Sequence, residues 1–200
     1  MNVRATAPAT LVLACGALVK ELQAVLELNQ IEHMHLECLP ATLHMHPEQI
    51  PDRLRRRLRE TANEYDRVLV GYADCGTSGE VDKVCDEFGA TRVPGAHCYE
   101  FFASSQQFAA LQDAEPGTFY LTDFLARHFD RFVLDGLGIT EHPQLLELYF
   151  GNYTRLVYLA QTTNTELDRR AQAAANTLGL HYERISTGYG ELAEQIVSFA

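Results

Sequence analysis

The amino-acid sequence predicts an α/β fold: a mostly parallel, doubly wound, Rossmann-like sheet with helices on both faces. Short apolar runs typical of buried strands alternate with longer segments whose apolar residues recur at helical spacing. Glycine and proline stand at many of the junctions between these segments. Hydrophobic residues make up 46% of the 200-residue chain, which is enough for a sizeable core. We therefore expect one domain over residues 1–200, with a subdivision near residues 136–151 as the alternative.

Seven short segments are predicted to be strands. Residues 67–72 are apolar almost throughout, which is typical of a central strand in a parallel sheet. Pro40 follows the second apolar run and ends it. The other predicted strands are residues 10–14, 34–39, 91–93, 118–121, 155–160 and 180–185.

Helices are predicted between the strands. Asn164 or Thr165 is suited to cap a helix that Gly179 ends. The pair Thr122–Asp123 is likewise interpreted as a helix start. The predicted helices are a segment with Leu18, Leu22, Val25 and Leu26 on one face, then residues 47–65, a short helix after residue 79, and residues 98–111, 123–132, 136–152, 165–178 and 191–199.

The charge of the chain excludes some classes of partner. A formal net charge of -11 repels nucleic-acid phosphates and anionic lipid. The arginines of residues 53–59 are interpreted as the solvated face of an amphipathic helix. No apolar run approaches the roughly 20 residues that span a bilayer, and no signal peptide is recognised. We expect a cytoplasmic protein that binds neither nucleic acid nor membrane, with an oligomeric state that the sequence leaves open.

The cysteines carry the strongest chemical signal. Five cysteines are an odd number in a chain of this size, so metal or thiol chemistry is favoured over a disulfide framework. Cys15 ends the first predicted strand, Cys38 ends the second, Cys75 follows the third, and Cys98 follows the fourth. Ligands of open α/β sheets bind at the carboxyl ends of the strands. We therefore expect these four cysteines at one edge of the sheet, and Cys85 inside a helix.

Thiolates and imidazoles together favour zinc or iron. The predicted metal ligands are Cys38, Cys75 and Cys98, and the fourth ligand is Cys15, His97 or His44. Zinc is the first expectation, and iron or an iron–sulfur cluster is the alternative. Unmetallated thiol chemistry, or cysteines that only fill the core, are the competing interpretations.

Two glycine-containing loops and two carboxylates complete the predicted site. Gly16, Gly76 and Thr77 lie where strands turn into helices, a position where backbone amides can hold an anion or a cofactor. A plain turn is the alternative for each loop. Asp74 adjoins Cys75 and Glu100 lies two residues past Cys98, so either carboxylate is a candidate to orient a ligand or to exchange a proton with metal-bound water.

Five short motifs occur in order along the chain. They are Ala14–Leu18, Leu39–His44, Gly71–Thr77, Gly95–Glu100 and Thr118–Asp123. As a set they resemble a bacterial and archaeal family known as domain of unknown function 1638. The resemblance covers most of residues 10–190 and implies no particular activity. Members of the family often occur near genes for corrinoid-dependent methyltransferases, which implies a role in one-carbon metabolism.

Three functions follow as hypotheses. The first is a zinc-dependent protein that handles a methyl group or a small thiol or amine substrate. The second is a non-enzymatic accessory or carrier protein for a metal or a corrinoid cofactor, with a corrinoid protein as a candidate partner. The third is an iron–sulfur redox protein on the same cysteines, which the absence of closely spaced cysteine pairs disfavours.

Overall fold

The computed structural model describes residues 9–200. They form two compact units. The first unit holds the described residues up to Cys98 together with Leu192–Ala200, and the second holds Tyr99–Glu191. The segment 136–151, where a subdivision was predicted, lies inside the second unit. The strands are β1 Thr10–Cys15, β2 Met34–Leu39, β3 Arg67–Gly71, β4 Thr91–Arg92, β5 Thr118–Leu121, β6 Arg155–Ala160 and β7 His181–Ser186.

The α-helices begin and end close to the predicted positions in most cases. They are α1 Val19–Leu28, α2 Ile50–Thr61, α3 Glu80–Phe88, α4 Cys98–Ala103, α5 Ser105–Ala114, α6 Asp123–Arg127, α7 Leu145–Phe150, α8 Thr165–Leu178 and α9 Gly190–Phe199. Short 3₁₀ turns cover Gly16–Leu18, Ala41–Met45 and Pro47–Gln49, and a π-helical turn covers Asp130–Leu134.

The first unit contains a four-stranded parallel sheet in the order β2-β1-β3-β4. Every residue of β1 is buried, as expected of a central strand with both faces covered. In the register of this sheet Ala14 pairs with Cys38 of β2 and with Gly71 of β3. The carboxyl ends of these three strands therefore lie side by side.

The second unit contains a three-stranded parallel sheet in the order β5-β6-β7. Alternate residues of β6 face opposite cores. Leu156 and Tyr158 pack with residues of α6, α7 and α8, whereas Val157 and Leu159 pack with Ala103 and residues of α5. The α/β class, the parallel strands and helices on both faces of a sheet are thus confirmed, but the strands divide between two sheets.

Two predicted helices differ from the structure. The predicted helix 98–111 is two helices, because Ser104 adopts a positive φ of 62° and its hydroxyl caps α5 by accepting from the Gln107 amide. The first half of segment 136–152 forms turns, and only Leu145–Phe150 is α-helical. Gly138 in the left-handed region and Pro143 both interrupt helical geometry there. Within residues 9–200, no helix combines the length and apolar character that crossing a membrane requires.

We expect Asn164→Ala to lower the free energy of unfolding by about 1 kcal/mol. The Asn164 side-chain oxygen accepts hydrogen bonds from the amides of Glu166 (3.0 Å) and Leu167 (3.1 Å) at the start of α8. Alanine leaves these amides without their cap. Urea denaturation checks the value, and Asn164→Asp is the control because aspartate caps equally well. Equal losses in both variants would contradict the capping role.

Candidate functional site

Four thiols gather at the carboxyl ends of β1, β2 and β3. Cys15 is their common neighbour. Burial raises the pKa of Cys38 and of Cys75, and the charge that Cys15 carries as a thiolate raises both pKa values further. Burial also raises the pKa of Cys98, and the charges of Cys75 and then Cys15 raise it further. The sheet register places Cys15 and Cys38 at neighbouring strand ends, and Cys75 follows β3, while their joint role as a site stays a prediction.

Burial keeps these thiols protonated in the absence of a cation. It raises the pKa of Cys38 to about 11 and that of Cys75 to about 12. Burial also raises the pKa of Cys15, against the opposing effect of a hydrogen bond from the Ala17 amide. Deprotonating one thiol makes the next harder to deprotonate, so the group favours a positively charged ligand.

The backbone next to Cys15 lies close to the end of β2, and this contact positions Cys15. Its Sγ accepts a hydrogen bond from the Ala17 amide at 3.5 Å where the 3₁₀ turn begins. A Cβ added to Gly16 would lie 2.8 Å from the Leu39 carbonyl oxygen and 3.0 Å from the Ala41 nitrogen. Gly16 therefore lets the end of β1 pack tightly against the end of β2, beside Cys38.

The loop after β3 has an unusual backbone conformation. Cys75, Gly76, Ser78 and Gly79 have φ values of 52°, 79°, 55° and 83°. Left-handed backbone at residues other than glycine carries strain, which is often found at functional sites. The Cys75 amide donates to the Ala96 carbonyl at 3.1 Å, which ties this loop to the segment leading into Cys98.

Asp74 holds this loop together. Its carboxylate accepts from the amides of Gly79 (2.7 Å) and Ser78 (3.2 Å), and Thr77 Oγ1 donates to the Asp74 carbonyl at 2.8 Å. The Gly79 amide is the main reason that the pKa of Asp74 is lowered. Asp74 therefore occupies the amides of Ser78 and Gly79. The anion-binding role of Gly76 and Thr77 stays a prediction, and so does the acid–base role of Asp74.

Tyr72 and Glu21 belong to this region and were not among the predicted site residues. Tyr72 is 1% exposed, and its hydroxyl has no hydrogen bond of good geometry within the described residues. Burial raises the pKa of Tyr72 and the charge of Cys15 raises it further, so the hydroxyl lies among the thiols. Glu21 is 5% exposed, and its charge adds to the elevation of the Cys98 pKa. Two features of the sequence could have revealed them. Tyr72 ends an apolar run, and Glu21 lies on the inward face of the helix α1.

The two histidines considered as a fourth ligand lie near each other. Burial lowers the pKa of His44, and the charge of His97 lowers it further. His44 is exposed at the surface, yet the atoms packed around its ring desolvate it enough to lower its pKa. Cys85 is buried in α3, where burial raises its pKa to about 11 with no contribution from another cysteine. It stands apart from the four thiols, as predicted.

The carboxylate of Glu100 lies in the second unit, where it accepts a hydrogen bond from Ser105 Oγ at 2.8 Å. Its acid–base role stays a prediction.

Across residues 9–200, no three His, Cys, Asp or Glu side chains are positioned to hold a metal ion together. The four thiols are therefore neighbours that influence each other's charge without standing at coordination distance.

Comparison with known proteins supports the resemblance found in the motifs. The family described as "Protein of unknown function (DUF1638)" matches residues 38–196. The matched region includes Cys38, Cys75 and Cys98, whereas Cys15 and Gly16 precede it. Neither the curated proteins nor the solved structures contain a match to this chain. Because the match covers most of the sequence, the chain belongs to the DUF1638 family.

Proposed function

We propose that this protein binds a soft metal ion, zinc in the first instance, on the thiols of Cys15, Cys75, Cys98 and Cys38. The observation that carries the proposal is the convergence of these thiols around Cys15, whose charge raises the pKa of Cys38, Cys75 and Cys98. Thiolates are the preferred ligands of soft and borderline metal ions, and four of them form a common structural zinc site.

The electrostatics support a cation at this position. Among the groups that shift the pKa values of these four thiols, Arg92 is the cationic one, and it acts on Cys75 alone. A divalent ion would supply the missing positive charge and bind the thiols in their deprotonated form. The buried Tyr72 hydroxyl, which lacks a good hydrogen bond, could then donate to a zinc-bound thiolate.

The proposed coordination requires side-chain motion and little change in the backbone. The strands β1 and β2 fix the backbone of Cys15 and Cys38, and the hydrogen-bonded loop fixes that of Cys75. The proposal requires that changes of side-chain rotamer bring the sulfurs to a common point. The proposal makes Cys15 a primary ligand, whereas the sequence pattern ranked it as one of three candidates for the fourth position.

The number of bound thiols separates an enzyme from a carrier. Four thiol ligands would close the site and suit an accessory protein that carries metal. Three ligands would leave a position open for a small thiol substrate, in keeping with the proposed place in one-carbon metabolism. Cys38 is the ligand that a substrate could displace, since Cys15 is its only electrostatic partner among the thiols, whereas Cys75 also raises the pKa of Cys98.

We expect protein purified without an affinity metal to contain about one equivalent of zinc per chain. Cys15→Ser, Cys75→Ser and Cys98→Ser should each lose most of it, because a serine hydroxyl is a poor zinc ligand. Cys85→Ser is the matched control and should keep the wild-type content, since Cys85 lies outside the cluster. Elemental analysis with a visible spectrum makes the measurement, and a brown colour would indicate an iron–sulfur cluster instead.

Two results would overturn the proposal. One is wild-type metal content in all three cluster variants. The other is metal-free protein that takes up no zinc under reducing conditions. For the protein that does bind, Cys38→Ser separates the two roles: unchanged zinc content would indicate a three-thiol site with an open position, and lost zinc would indicate a closed site.

A further inference from the structure

The second unit contains a groove of about 430 Å³ that is separate from the thiol cluster in sequence and in chemistry. It lies between the end of α6 with the following π-helical turn on one side and α8 on the other. Four arginines line it: Arg127 and Arg131 from the first side, and Arg169 and Arg170 from α8.

The groove concentrates positive charge in a protein whose net charge is negative. The chain has 16 lysines and arginines and a net charge of -11, yet four of those cations share one groove. Glu166 bonds to both Arg169 and Arg170, at 2.8 Å in each case, and Asp130 is the carboxylate in the lining. Four cations against these two carboxylates leave two surplus positive charges.

Arg127 and Arg131 carry that surplus. Neither forms an ion pair with another residue in the described part of the chain. The Arg131 guanidinium lies 5.5 Å from the centre of the Phe132 ring, a contact that leaves its hydrogen-bond donors free for an anion. A guanidinium presents paired N–H donors that match the oxygens of a phosphate.

The shape of the groove suits a small molecule. Its volume falls within the range of about 300 to 1,000 Å³ typical of small-molecule sites. Buried Ala126, Phe129 and Ala174 form an apolar floor beneath the charged rim. The π-helical turn at Asp130–Leu134 is a second indication, since such turns are rare and occur frequently at functional sites.

We propose that this groove binds a small molecule that carries phosphate groups. The arginines would bind the phosphates, and the apolar floor would contact the rest of the ligand. An extended acidic protein segment fits the charge but is larger than a groove of this volume. The inference stands independently of the metal site, because it rests on residues of α6, the π-helical turn and α8.

Calorimetric titration of the full chain with inorganic pyrophosphate tests the proposal. We expect saturable binding at one site, weakened at least about tenfold in Arg127→Gln/Arg131→Gln, since each arginine contributes a charge-assisted hydrogen bond. The matched control is Arg53→Gln/Arg56→Gln, which removes the same charge from two exposed arginines on α2. The control should bind as the wild type does.

Three outcomes would overturn the proposal. One is a failure of pyrophosphate to saturate the wild-type protein at millimolar concentrations. Equal weakening in the groove and control variants would mean that binding reflects overall charge alone. Binding of polyglutamate without binding of pyrophosphate would assign the groove to an acidic protein segment. Circular dichroism verifies folding, and the single variant Arg131→Gln, at an exposed residue, repeats the test if the double variant is unstable.

Discussion

Asp123→Ala is expected to lower the free energy of unfolding by about 3 kcal/mol. Asp123 follows β5 and is 1% exposed. Its Oδ1 accepts from the Tyr158 hydroxyl at 2.6 Å and from the Gln161 amide at 3.0 Å, and its Oδ2 accepts from the Thr162 hydroxyl at 2.5 Å. Alanine would remove the acceptor for all three donors, two of them buried on β6 or directly after it.

The size of this effect follows from the donors left behind. A buried donor without a partner costs about 1–3 kcal/mol, which is more than the net gain from a typical hydrogen bond. Tyr158 is fully buried in the core of the second unit, so its hydroxyl has no route to water. The Asp123 amide also donates to Gln161 Oε1 at 2.6 Å, so the end of β5 is joined to the residue that follows β6 by both backbone and side chain.

Urea denaturation followed by circular dichroism measures the loss. Asp113→Ala is the control, because Asp113 is exposed near the end of α5, and its replacement should change stability by less than about 0.5 kcal/mol. In the Asp123→Ala background, Tyr158→Phe should recover about 1 kcal/mol, since it removes the stranded hydroxyl. A loss in Asp123→Ala no larger than in the control would refute this account of the network.

The same residue illustrates what sequence patterns can and cannot predict. Thr122–Asp123 was correctly predicted to start a helix, because capping is local, and the Thr122 hydroxyl accepts from the Leu125 amide at 3.4 Å. The contacts of Asp123 with Tyr158 and Gln161 join residues more than thirty positions apart. Helical spacing and capping preferences contain no information about such distant pairs.

The strands were predictable for a similar reason, and their division into two sheets was not. The apolar runs of β1 and β6 are alike in length and burial, and both are central strands. Nothing in their composition states which strand each one pairs with. Pairing depends on long-range packing, such as the opposite cores on the two faces of β6.

The candidate site was predicted from one rule of topology. Residues at the carboxyl ends of neighbouring parallel strands meet, and this rule predicts a group of Cys15, Cys38, Cys75 and Cys98. The sheet register places Cys15 and Cys38 at neighbouring strand ends. The rule does not rank them, and only the structure places Cys15 at the centre. It also overlooks helices, which is why Glu21 on α1 was missed. Tyr72 directly follows β3 and was missed because a tyrosine at the end of an apolar run is typical of a core residue.

Gly16→Ala is expected to destabilise the protein by about 2 kcal/mol and to weaken metal binding, if the proposed metal site exists. The added Cβ would lie 2.8 Å from the Leu39 carbonyl oxygen and 3.0 Å from the Ala41 nitrogen. Both are backbone atoms at the end of β2, so no side-chain rotation relieves the contact. The strand ends that carry Cys15 and Cys38 would have to move apart.

Gly76→Ala separates this steric effect from backbone strain. Gly76 also follows a cysteine of the cluster, and its φ is +79°, but an added Cβ meets nothing within 4 Å. Its replacement should cost about 1 kcal/mol through left-handed strain alone. Urea denaturation gives the stability of each variant and zinc titration gives its affinity. If Gly16→Ala were as stable as the wild type, the tight contact between the ends of β1 and β2 would not hold these two cysteines together.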